Sequence, residues 1–369
     1  MKSKRLFLIF LAAAALLVFA SAAGGDSGDP LISLEQLRQV FLPAAEKAVQ
    51  AEIDSSGNAV YDAAEAKWRA AAGVAEGDFE RAAFWNEKRF KQGDRLSGVT
   101  GTQVLLLAGD VTADFPSGTV VDVSDGSEIV SGSSLKARHR YLVAEDTGAQ
   151  FTVSSRTAVL DFNGDYSNVE SIYGPDYNAM AYALKSLSLF RGSDTGYGDA
   201  FDLEQKPTRI QALIMLIRLL GEENEALSTI TEHPFLDVPA WAAPYVGFAY
   251  ERGYTNGVSA KEFAPDSTAS AGMYIEFILR AMGYSDTTQT DVKTSAERAQ
   301  NVGVMTAGER ALLQSNEFLR SDVVYLSWYA LATALPGGDI TLHEYLENEG
   351  VFSSAAYQDS LDMVTSERL

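Results

Sequence analysis

FLDVPAWAAPYVGFAYERGYTNGVSAKEFAPDSTASAGMYIEFILRAMGY, running from Phe235 to Tyr284, reads as helix, loop, helix. Trp241, Tyr245, Phe248 and Ala249 fall at helical spacing, and Gly253 with Gly257 stops that helix and turns the chain. After Pro265 and Asp266 a second apolar run, Ile275, Phe277, Ile278, Leu279 and Met282, continues to Gly283. A unit of about fifty residues with one apolar face per helix buries little alone, which directs the search to copies of it.

The upstream copy is AFDLEQKPTRIQALIMLIRLLG (Ala200 to Gly221), which aligns without a gap on EFAPDSTASAGMYIEFILRAMG (Glu262 to Gly283). Phe201 pairs with Phe263, Arg218 with Arg280 and Gly221 with Gly283. Before it, ALKSLSLFRG (Ala183 to Gly192) matches AYERGYTNG (Ala249 to Gly257) once a residue slips. Downstream, AERAQNVGVMTAGE and FLRSDVVYLSWYALATAL repeat the order in worn form, with Phe318 in the place of Phe201 and Phe263. The chain from about Met180 to Leu335 is therefore predicted to be three repeats, at about 175–230, 231–285 and 290–336.

FLDVPAW, the Gly253 to Gly257 turn, the Phe263-x-Pro265 step and Pro207-Thr208-Arg209-Ile210-Gln211 resemble the S-layer homology module, whose usual wording is F-x-D-V, W, G-x-x-x-G and T-R-A-E. The resemblance covers a little over half of the chain. It implies a three-lobed pseudo-trimer whose grooves hold a secondary cell-wall polysaccharide, often one bearing ketal-linked pyruvate, and so a non-covalent tether to the wall. Carried over residue by residue, it implies polysaccharide binding by Arg209, Gln211, Asp237, Trp241, Gly257, Arg320 and Asp322.

The residues also have a reading of their own. Thr208-x-x-Gln211 before an apolar run is a capping box, which accounts for Thr208 and Gln211 structurally. Arg209 is left without such a role, because a cation in the first turn opposes the helix dipole. The functional reading makes its guanidinium, beside free N–H groups of a helix start, an anion site suited to a carboxylate; the bland one leaves it solvated. Repeat two carries Ser270-Ala271-Gly272-Met273 here, losing cation and acid, while Leu319-Arg320-Ser321-Asp322 in repeat three keeps both without the capping hydroxyl. At most two of the three grooves keep their charge.

Composition bounds the rest. A chain of 369 residues with 46% hydrophobic content has room for two or three domains. With no cysteine there is no disulfide framework, thiolate metal site or lipid-bearing Cys. The formal charge of −21 argues against nucleic acid and anionic membranes as partners. An anionic wall polymer then requires local arginines to outweigh the long-range field, which screening over about 8 Å permits.

Lys2, Lys4 and Arg5, the apolar run Leu6 to Phe19 and Ala20-Ser21-Ala22 form a secretory signal over residues 1–22, followed by a flexible leader over 23–32. The apolar run is shorter than a spanning helix needs, so cleavage and release are expected rather than a membrane anchor. Residues 33–92 are predicted as a small helical domain, with helices at Ser33–Ala51, Val60–Ala72 and Phe79–Phe90; Trp68 and Trp85 are read as core, with a carbohydrate platform as the alternative. The Asp54 to Glu65 stretch has oxygen donors at EF-hand spacing but Ala59 where the turn needs Gly, so it is read as a solvated interhelical turn rather than a calcium loop.

From Gly93 the period changes to two, and short runs at Gln103–Leu107, Thr119–Val123, Glu128–Val130, Arg140–Val143, Phe151–Val153 and Ala158–Phe162 predict a small antiparallel β domain over 93–165, closed by a turn at Asp161–Asp165. Residues 166–369 are predicted as an all-α, three-repeat pseudo-trimer, with a capped helix from Leu342 and a C-terminal amphipathic helix as a latch. The expected fold class is thus multidomain α+β.

His139, His233 and His343 are far apart, and no nucleophile elbow, zinc signature or phosphate loop accompanies them. The reading is a non-enzymatic, exported surface protein with no cofactor and no catalytic or metal site, tethered to a secondary cell-wall polysaccharide, with self-association left open. Two alternatives stand beside it: a wall-associated hydrolase with its active site in residues 33–163, and an S-layer-like structural or adhesive component.

Overall fold

The chain divides into two compact units, residues 1–76 and 77–369. The computed structural model describes residues 80–369 except 146, 194–196, 198 and 285–291, together with nine scattered helical positions between 43 and 63. The signal sequence, the leader, Trp68 and most of the helices read between Ser33 and Ala72 lie outside the described residues. Gly57 and Ala59 are helical, which corrects the expected turn at those two positions, while Val60 and Ala63 are helical as the predicted Val60–Ala72 helix requires.

The expected fold class is overturned. In place of a small β domain over 93–165, residues 80–169 form one large, near-barrel antiparallel sheet of ten strands, and it belongs to the same compact unit as the helices that follow. Its order is β6 (Ser127–Ile129), β5 (Thr119–Asp122), β8 (Arg140–Ala144), β3 (Gln103–Ala108), β10 (Thr157–Val169), β2 (Arg95–Val99), β9 (Gly148–Val153), β4 (Val111–Asp114) and β7 (Ser133–Ser134), with β1 (Glu80–Lys91) on the other side of β10.

Two predicted elements change type. The segment read as a helix at Phe79–Phe90 is the long strand β1, pairing Phe90 with Ala158 and Glu80 with Tyr166. Ala83 to Lys88 are exposed on both faces, so apolar spacing carries no information there, and pairing with β10 overrides the helix propensity of Ala, Glu, Lys and Arg. Phe84 and Trp85 are surface residues of that strand rather than core.

The turn read at Asp161–Asp165 is instead the middle of β10. Gly164, at φ +103°, bends the strand where β2 gives way to β3 on its flank, and the Thr102 hydroxyl donates to the Asp165 carbonyl over 2.6 Å. The sheet encloses a core that includes Phe90, Leu106, Tyr141, Phe151, Leu160 and Phe162.

The helices are α1 (Tyr177–Ser186), α2 (Arg209–Leu219), α3 (Glu223–Ser228), α4 (Ala243–Glu251), α5 (Ala271–Ala281), α6 (Val292–Asn301), α7 (Ala307–Ser315), α8 (Arg320–Leu331), α9 (Leu342–Asn348) and α10 (Ser354–Met363). Helices α2, α5 and α8, each the second helix of a predicted repeat, touch one another, and all three feed one continuous apolar core. Each repeat thereby buries a face it has no means of covering alone. Past α10 the chain docks on repeat three, where Arg368 pairs with the buried Glu309 over 2.7 Å.

Candidate functional site

The contact between the start of α2 and the loop before α5, where the first two predicted repeats meet, is built by backbone. The amides of Arg209 and Ile210 donate to the carbonyls of Ser267 and Pro265, and that of Ala269 donates to Pro207, at 2.8, 3.1 and 2.8 Å. Thr208 caps α2, its hydroxyl accepting from the Gln211 amide while Gln211 Oε1 accepts from the Thr208 amide. The first N–H groups of α2 are therefore taken by repeat two and by the cap. The expectation of free helix-start amides beside Arg209 is corrected accordingly. Because Gln211 is exposed and engaged in the cap, Thr208→Ala is expected to lower unfolding free energy by about 1 kcal/mol in a denaturant melt.

Arg209 is buried, at 5% exposure, with its side chain inserted into repeat two. Its guanidinium carbon lies 5.0 Å from the Phe263 ring centre and 5.3 Å from that of Phe277. One terminal nitrogen donates to Thr255 Oγ1 at 3.4 Å and the other abuts the Met273 sulfur, while Nε has no partner. Among the described residues no carboxylate pairs with it. Burial, then the nearby Arg280, pushes its pKa down to about 10 against the pull of Asp237, so it stays a cation at neutral pH. Two aromatic faces supply part of the lost solvation, leaving an unneutralised positive charge at the contact between repeats.

Asp237 and Gly257 belong to the same cluster. The Asp237 carboxylate accepts the amides of Phe263 and Ala264 at 2.9 and 2.6 Å. Desolvation is the largest influence and opposes its ionisation, but those two N–H groups, with its own amide and His233, together hold its pKa below the usual range. Gly257 donates to Thr255 Oγ1, the same hydroxyl that Arg209 reaches, and lies against the Phe235 ring. Trp241 stands on the surface at 60% exposure.

Arg320 and Asp322 lie elsewhere, between repeats three and one. Arg320 Nε donates to the Phe201 carbonyl at 3.0 Å, and its guanidinium sits over the Phe190 ring. Asp322 pairs with Arg156, which comes from the β9–β10 loop of the barrel. A cleft of about 550 Å³ opens beside this contact, lined by Lys185, Phe190, Arg191, Ser193, Asp199 and Arg218. Thr255, Arg89 and Arg156 carry no motif that sequence reading isolates, since each acts across a contact between distant segments.

The S-layer homology domain family model matches residues 234–270, the stretch that holds Phe235, Asp237, Trp241, Gly257 and Phe263. The chain carries an S-layer homology domain. It is also 35% identical over 95 residues to a protein described as "Cell surface protein" from Thermoanaerobacter kivui, a match covering 25% of this chain and 12% of that relative. Both findings place the chain with surface-anchored proteins.

Among solved structures, NovW, a 4-keto-6-deoxy sugar epimerase from the novobiocin cluster of Streptomyces spheroides, is 25% identical over 26% of this chain and 49% of its own. At a TM-score of 0.16 that likeness carries no argument about this chain. Among the described residues no helix is long and apolar enough to cross a membrane.

Proposed function

We propose that the S-layer homology repeats tether the chain to the cell wall by binding an anionic secondary wall polysaccharide, without a covalent bond and without catalysis by the repeats. The proposal includes export after removal of residues 1–22 and repeat limits near 175–230, 231–285 and 290–336. The observation that carries it is the Arg209 cation, fixed where repeats one and two meet with no carboxylate paired to it among the described residues. A chain of net charge −21 repels a polyanion at long range, so a local cation of this kind is what lets one dock. Asp237 and Gly257 hold the loop that faces Arg209, and Trp241 offers an exposed ring to a sugar face. The resemblance to the family adds that such polymers often bear ketal-linked pyruvate, whose carboxylate suits a guanidinium.

The test is sedimentation of the full chain with wall sacculi before and after the secondary polymer is stripped from them. Arg209→Met keeps most of the side-chain volume and removes the charge. It is expected to weaken sacculus binding by about 1.5–3 kcal/mol, the size of a hydrogen bond to a charged group. Equal binding by parent and variant, or binding that survives stripping, would remove the mechanism.

A further inference from the structure

Arg320 and Asp322 keep the charges of the motif, yet the groove they line already has an occupant. Arg156, in the loop between β9 and β10, donates to the Asp322 carboxylate and, at 3.3 Å, to the Glu317 carbonyl. Arg89, on β1, pairs with Glu204, donates from Nε to Asn178 Oδ1 at 2.8 Å and lies 5.8 Å from the Phe201 ring centre. All these partners are repeat residues or lie at the start of α1. Both arginines are largely buried, with side chains 3% and 14% exposed for Arg89 and Arg156.

The groove between repeats one and two provides the comparison within the same molecule. The position of Glu204 is there held by Asp266, which is exposed and makes no ion pair among the described residues. The position of Asp322 is there held by Gln211, engaged only in its cap. Among the described residues no barrel side chain reaches the Arg209 cluster, whereas two barrel arginines fill the corresponding place between repeats three and one.

We infer that the barrel is an intramolecular occupant of the groove between repeats three and one, closing it to the wall polymer while the groove between repeats one and two stays open. The inference rests on the polysaccharide-binding reading above and adds which groove is used. It makes the barrel a built-in competitor: a polymer that enters the second groove must first unseat Arg89 and Arg156. Asp322 and Glu204, freed from those arginines, would leave Arg320 and the cleft at Arg191 and Arg218 to form the second site.

The experiment measures sacculus binding by four full-length proteins: the parent, Arg209→Met, Arg89→Gln with Arg156→Gln, and the triple variant. In the parent background Arg209→Met is expected to weaken binding tenfold or more. In the unseated background it should weaken binding less than threefold, because the second groove has opened. An equal loss in both backgrounds overturns the inference while leaving the anchoring reading intact. No binding by the parent, or none lost with Arg209→Met, overturns both.

Unseating is also testable without a variant, which matters if the double substitution impairs folding. Hydrogen exchange on the parent, with and without muramidase-released sacculus fragments that bear the polymer, is expected to slow at residues 255–264 and to stay unchanged at residues 317–322. Slowing at residues 317–322 in the parent without faster exchange at residues 88–91 and 153–157 would mean that the polymer enters the groove with the barrel seated, and would overturn the inference.

Discussion

Replacing Arg156 with alanine is expected to lower the unfolding free energy of the full chain by about 3–5 kcal/mol, the cost of stranding a buried charge. Its partner Asp322 has a side chain only 2% exposed, and without Arg156 that carboxylate retains, among the described residues, the Leu319 amide at 2.7 Å. Burial pushes the Asp322 pKa up, and Arg156 is the largest influence pulling it down, so the substitution moves it further up. The sign of the pH dependence follows. An acid whose folded pKa exceeds its unfolded value binds its proton more readily when folded, so folding is favoured as pH falls through the folded pKa. The deficit of the variant should therefore be full at neutral pH and shrink as Asp322 protonates on the way down towards its unfolded pKa of about 3.9. Urea melts of parent and variant at pH 7 and pH 5 measure it. A deficit below about 1 kcal/mol, of the size of an exposed ion pair, would show that Asp322 is not the buried charge described.

Local signals in the sequence were read correctly where the structure is local. Thr208 and Gln211 form the capping box that their spacing announces, as do Thr341 and Glu344 at the start of α9. Gly253 and Gly257 both sit at positive φ and turn the chain after α4, and the alternating run at Gln103–Leu107 lies in β3. What failed depends on partners far away in sequence. The segment at Phe79–Phe90 has a helix former's composition, and only β10, some seventy residues on by the Phe90 to Ala158 pairing, makes it a strand. Asp161–Asp165 has the residues of a turn, yet Gly164 uses its freedom to bend a strand within a sheet. The size of the sheet, and its direct fastening to the repeats, were likewise out of reach: Arg156 and Asp322 are 166 residues apart. For the site, the family wording singles out Arg209, but its burial among Phe263, Phe277 and Met273 and the loss of its helix-start amides to the loop before α5 emerge only once the helices are packed.

Gly257→Ala is expected to be among the most damaging single substitutions in the repeats, and Gly253→Ala, four residues earlier, separates its two causes. Both glycines adopt left-handed backbone, at φ +73° for Gly257 and +76° for Gly253. An L side chain in that region costs about 1–2 kcal/mol at either position. At Gly253 a Cβ meets nothing within 4 Å, so that conformational cost is the whole effect. At Gly257 the same Cβ would stand 2.3 Å from Phe235 Cε1 and 2.6 Å from the Glu262 carbonyl. Neither neighbour has room to yield: Phe235 is buried against Phe263, and the Glu262 carbonyl accepts the Val258 amide at 2.8 Å. Overpacking of this kind adds about 1–3 kcal/mol, so Gly257→Ala should cost roughly 2–5 kcal/mol in total. Thermal and urea melts of the two variants give the difference directly. If Gly257 acts on the polymer only by shaping the loop that faces Arg209, sacculus binding by the folded fraction of Gly257→Ala should fall along with stability, and Gly253→Ala should bind as the parent does. Equal destabilisation by the two substitutions would show that Phe235 does not press on this turn and would leave the close packing of the loop without support.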